Sequence, residues 1–134
     1  MTPAYLEFEL ADPIRFARLA VVFGKLKEAK ERDMWPEADI WLELFDDAAR
    51  ATFWWPKDDE SDDQRLDSND APWHFESLIE AFRNGDYCLE ECRRITDRVG
   101  RLEFEPRAWP YGGTGCMRGL IEAFGGRVLS EVDT

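Results

Sequence analysis

The stretch Trp109-Pro110-Tyr111-Gly112-Gly113-Thr114-Gly115-Cys116 holds the residue types best suited to binding chemistry in this chain. Glycines let backbone N–H groups close on a ligand, and the start of a following helix favours an anion. The match to a nucleotide phosphate loop fails, because no Lys follows the glycines. The dinucleotide pattern fails as well, since it needs a preceding parallel-type strand and a third glycine at fixed spacing. Two readings are left. The segment is a small-molecule or anion site built on Gly112, Gly113, Thr114 and Gly115, or it is a tight strand-to-helix connection with Thr114 as N-cap. The second explains glycine and threonine without any ligand.

Cys116 falls in the first turn of the helix expected after this loop, where the macrodipole can lower a thiol pKa. A nucleophile also needs an oriented base, and the only histidine is His74. His74 opens the helix that carries the other copy of Leu-Ile-Glu-Ala-Phe, so the two residues can fall at the same end of the sheet, but nothing indicates contact. A small buried core residue is the simpler reading of Cys116. Cys88 and Cys92 could join Cys116 and His74 as three sulfurs and one nitrogen around zinc. On a strand, however, residues four apart stand ~13 Å from each other, too far to share one metal. The run Lys57-Asp58-Asp59-Glu60-Ser61-Asp62-Asp63 invites a calcium reading but lacks the central glycine and terminal glutamate of an EF-hand loop. It reads as a solvated acidic surface. No acid–base pair, nucleophile triad or cofactor fingerprint stands out, so no catalytic residue, metal or cofactor is assigned.

The aromatic constellation is the most suggestive. Trp54-Trp55-Pro56, Pro72-Trp73-His74 and Trp109-Pro110-Tyr111 all fall in expected strand-to-helix connections. Trp and Tyr beside charge make good interface anchors. The same rings can also plug the open end of a core, which is the commoner fate of Trp. The expectation is that most of these rings plug the core while at least one stays exposed as a contact.

These residues must be held by one folded unit. With 134 residues, 44% hydrophobic and 13% aromatic, the chain has enough apolar surface for a single core and the opposite composition to disorder. Acidic residues number 29 against 17 basic, a formal net charge of −12. Phosphate backbones and anionic membranes attract basic surfaces, so neither nucleic acid nor membrane is an expected partner. A basic protein is. Three cysteines do not make a disulfide framework. There is no signal-like leader and no run near the ~20 apolar residues that span a bilayer, so a cytoplasmic location is expected.

Residues 5–10 alternate Leu6, Phe8 and Leu10 with Glu7 and Glu9, a half-buried strand. Asp12-Pro13 marks a helix start, and Phe16, Leu19, Ala20, Phe23 and Leu26 follow at helical spacing. Charge pairs beyond Gly24 favour its continuation. Residues 38–45 alternate again, and with 50–55 they are read as a hairpin turning at Asp46-Asp47. An acidic solvated loop is expected over 57–70. A helix follows from Pro72 to Asn84-Gly85, then a hairpin of 87–95 and 101–105, a helix from Thr114 to Gly125-Gly126, and a strand over 128–132.

Leu-Ile-Glu-Ala-Phe occurs twice, at 78–82 and 120–124, at matching places in this order. The expected fold is therefore α+β, a single domain over 1–134 with a duplicated ββα unit. Its order would be β-α-β-β-α-β-β-α-β. That gives a mostly antiparallel sheet of about six strands with about three helices on one face. The expected function is a small acidic interaction or accessory module, inhibitor- or immunity-like by analogy alone, for a basic protein partner. Trp54, Trp55, Trp73, His74, Trp109, Tyr111, Asp58, Asp59, Asp62 and Asp63 would carry it. The alternative is a small-molecule or anion-binding domain using Gly112–Gly115 and the helix start behind them. A homo-oligomer is possible through an edge strand, the first or the last, if that strand is unpaired.

Overall fold

In a computed structural model the chain is described over residues 4–53, 73–107 and 114–132. The first strand, β1 (Ala4–Glu9), alternates as expected, with Ala4, Leu6 and Phe8 buried and Tyr5, Glu7 and Glu9 half-exposed. Helix α1 (Pro13–Arg32) starts where the sequence places it. Asp12 accepts hydrogen bonds from the amides of Ile14 and Arg15, and Pro13 holds the first helical position. The helix runs straight through Gly24, supported beyond it by the Lys27–Glu31 and Arg32–Glu28 pairs. It stops at Asp33, whose φ of 51° is left-handed.

The segment expected as the first hairpin is instead two helices, α2 (Ala38–Leu44) and α3 (Asp47–Arg50). The buried positions explain why. Trp41, Phe45, Ala49 and Phe53 recur every fourth residue and are all buried, whereas Ile40, on the opposite phase, is 43% exposed. That is helical spacing, and Ala, Leu and Glu are good helix formers. Asp46, expected as a turn residue, caps α3 by accepting from the Ala49 amide at 2.9 Å.

Helix α4 (Phe75–Asn84), the hairpin of β2 (Tyr87–Arg94) and β3 (Val99–Pro106), helix α5 (Gly115–Ala123) and β4 (Arg127–Val132) complete the order. Among the described residues there are thus four strands rather than about six, and five helices rather than about three. The order is β-α-α-α-α-β-β-α-β, so the duplicated ββα unit is not present. What recurs is a helix followed by a strand. In both copies of the repeated pentapeptide the Leu and the Phe are fully buried, as Leu78 and Phe82 in α4 and Leu120 and Phe124 at the end of α5.

The sheet is antiparallel throughout, in the order β2-β3-β1-β4. β1 is therefore interior, and β2 and the final strand β4 are the two edges of this sheet. β3 and β4 run in the same sense on either side of β1, with α5 crossing between them, a split βαβ arrangement. One face, carrying Leu6, Phe8, Leu89, Leu102 and Phe104, joins the helices in a single core. On the other, Glu7 pairs with Arg101, Glu103 with Arg93 and Glu9 with Arg127. Phe45 sits at the centre of the helical layer, with Phe75, Phe124 and Phe53 at 5.0, 5.4 and 5.6 Å between ring centroids. Gly100 is required by closeness, since a Cβ there would come within 2.5 Å of the Phe16 ring.

Candidate functional site

Of the three aromatic connections expected to cluster, only Trp73 and His74 fall among the described residues. Trp73, just before α4, lies across the first turns of α5, where a Cβ on Gly115 would sit 3.4 Å from its ring. A Cβ on Gly119, one turn on, would be 2.7 Å from the ring and 3.0 Å from Leu78. Gly115 and Gly119 thus form a flat bed on which Trp73 packs half-buried, part of the core's edge. This favours plugging for Trp73. His74 stands at the N-cap position of α4 without a side-chain capping bond. Trp54, Trp55, Trp109, Tyr111, Gly113 and the acidic Asp58, Asp59, Asp62 and Asp63 lie outside the described residues, as do Gly112 and the rest of the 57–70 segment.

The start of α5 differs from the expectation for it. Thr114 does not cap the helix with its side chain. Its hydroxyl donates to Glu131 on β4 at 2.5 Å, and Arg118 donates to the same carboxylate oxygen at 3.2 Å through both Nε and a terminal nitrogen. Arg118 is exposed and paired with this carboxylate. The carboxylate of Glu131 therefore stands where an incoming anion would seek its charged ligand.

Cys116 is buried, and its sulfur lies 3.2 Å from the Tyr87 hydroxyl. Burial pushes its thiol up, against the Tyr87 hydrogen bond, the amides of the first helical turn and the nearby Lys30 charge. Desolvation thus outweighs the macrodipole expected to activate it. Lys30 reaches into the same corner. Its ammonium donates to the carbonyls of Phe82 and Gly85 at 2.7 and 2.9 Å and lies 4.5 Å from the centre of the Tyr87 ring. Burial pushes Lys30 down, with Cys116, Cys88 and Asp86 opposing. The job of this corner is to close the C-terminal end of α4 onto α1. Cys92 is pushed up to about 12, chiefly by burial and further by Glu91. Among the described residues no three His, Cys, Asp or Glu side chains gather as a metal would require.

The surface that sequence reasoning missed lies on α2 and α4. Trp35, Pro36, Ala38 and Trp41 face Phe75, Glu76, Ile79, Glu80 and Arg83 across a cleft of about 200 Å³. Positions 76, 79, 80 and 83 fall on one face of α4 at helical spacing. The Trp35 and Trp41 rings lie 6.1 Å apart at 40°. Trp41 is 1% exposed, and its indole N–H is the one buried side-chain donor or acceptor without a partner among the described residues. Reading 38–45 as a strand hid this cleft, because it replaced the helix that lays Trp41 beside α4. The four-residue spacing from Trp41 to Phe53 was the signal that could have revealed it.

Glu37, Asp39 and Glu43 add exposed carboxylates on and before α2. Among the described residues no helix is long and apolar enough to cross a membrane. Comparisons with protein-family models, with curated proteins and with solved structures find no match to this chain.

Proposed function

We propose that this chain is an interaction module, accessory or inhibitor-like in kind, that captures a basic protein partner. The observation that carries the reading is the unpaired acid on α2 and α4. Glu37, Asp39, Glu43, Glu76 and Glu80 are exposed, and none makes an ion pair among the described residues. On the open face of the sheet, by contrast, Glu7, Glu9 and Glu103 are each matched by an arginine. Unmatched charge of one sign steers a complementary protein and speeds its association. The segment holding Asp58, Asp59, Asp62 and Asp63 and the Trp54-Trp55 and Trp109–Tyr111 stretches belong to the same reading, the acids as attraction and the rings as anchors.

The competing reading, a small-molecule or anion site at Gly112–Gly115, is weakened by Glu131, which already engages Thr114 and Arg118. Pairing of two copies along the β4 edge is a separate contact mode that needs no charge complementarity. The test of the leading reading is affinity capture from native lysate at low salt, released by a salt gradient and identified by mass spectrometry. One stoichiometric basic protein, eluting as salt rises, is the expected result. A chain that retains nothing at low salt, or whose partner is indifferent to salt, contradicts it.

A further inference from the structure

The cleft between α2 and α4 offers three features that act together. Its floor is apolar, from Trp35, Trp41 and Ile79. Its wall carries Glu76 and Glu80 one turn apart on α4, neither in an ion pair among the described residues. Arg83 stands in the last turn, where a cation suits the carboxyl end of the helix, so the acids nearer the amino end are left unneutralised. The third feature is the Trp41 indole N–H, buried and without an acceptor. Such a group destabilises the free protein and is satisfied when an incoming oxygen reaches it.

Size decides what fits. A volume of about 200 Å³ lies below the ~300 Å³ at which sites for drug-sized ligands begin. It suits one long side chain. Lys and Arg bury an apolar stem along such a floor while keeping their charge at its rim.

We infer that this cleft seats a single Lys or Arg side chain of a basic partner protein, with its stem across Trp35 and Ile79 and its charge against Glu76 and Glu80. The backbone carbonyl beside it accepts from the Trp41 indole. Trp41 is buried, so the carbonyl reaches its indole only as the side chains over it shift on docking. The inference rests on the basic-partner reading above and gives it a specific seat.

The test uses heteronuclear amide and indole spectra of the isotope-labelled full chain. The probe is acetyl-leucyl-arginine amide, with acetyl-leucyl-norleucine amide as the uncharged control of similar length. The expected result is saturable movement of the Trp35 and Trp41 indole signals, with Trp41 moving downfield as it gains an acceptor. Glu76→Gln with Glu80→Gln, both at exposed positions, should raise the dissociation constant about tenfold. Indoles that stay still through millimolar probe, or that move equally with norleucine, overturn the cleft as the seat. The basic-partner reading would survive that outcome if salt-gradient capture still returns a basic protein. If capture fails while the indoles respond to arginine, the broader reading falls and the cleft stands as a guanidinium site.

Discussion

The Asp46 carboxylate accepts from the Ala49 amide and pairs with both Arg15 and Arg18, so one side chain ties α1 to the α2–α3 junction. Burial would raise its pKa, but the Arg15 hydrogen bond, the Ala49 amide and the two positive charges outweigh that and hold it below the usual 3.8. A carboxyl depressed in the folded state contributes stability above its unfolded pKa and loses it as pH falls through the folded one. Asp46→Asn keeps the cap and removes the charge. It should cost about 1–2 kcal/mol in urea unfolding near neutral pH, and the gap to wild type should close as pH falls below about 4. A gap unchanged at acid pH would mean that the charge contributes nothing. The glycines divide in the same manner. Gly24 is exposed and helical with nothing near its missing Cβ, so Gly24→Ala should stabilise by about 0.5–1 kcal/mol. Gly119→Ala drives a methyl into the Trp73 ring and should destabilise by about 1–3 kcal/mol, both read by chemical denaturation.

At the scale of elements, α1 finishes two other helices with its own cations. Arg15 donates to the carbonyls of Ala123 and Phe124 at the end of α5 and lies over the Phe124 ring, while Lys30 does the same service for α4. Arg15→Ala removes a charged donor from two buried-end carbonyls and should cost about 2–3 kcal/mol, with amide exchange at the end of α5 accelerating first. Uniform exchange across the chain would contradict the local role. α1 itself was legible because its cap, its proline and its apolar stripe agree. The β2–β3 hairpin and the α5–β4 unit were legible for the same reason, α5 closing on Gly125 at φ +90° with Gly126 bonded back to Ile121. The stretch 38–53 was not. Its residues alternate and also repeat every fourth position, and only the burial of Phe45 against Phe53, Phe75 and Phe124 decides between the two periods. The candidate cleft was lost with it. The packing of Trp73 on Gly115 and Gly119 was not legible, because it depends on glycines inside a helix that composition alone reads as a loop feature.

For the whole molecule, charge is the property that spans every element. Of the acids behind the net charge of −12, Glu7, Glu9 and Glu103 on the sheet pair with arginines, whereas Glu37, Asp39, Glu43, Glu76 and Glu80 are in no ion pair among the described residues. Attraction of that kind acts over a Debye length, about 10 Å at moderate salt, and so governs encounter more than residence. The measurement that bears most directly on this account is the association rate of the captured partner, followed by stopped flow between about 20 mM and about 200 mM salt. A fall of about tenfold or more across that range, shallower when Glu37, Asp39, Glu43, Glu76 and Glu80 are replaced by their amides, is the predicted result. A rate that is flat in salt, or a slope that the amide variant leaves unchanged, would contradict the claim that these acids capture a basic partner.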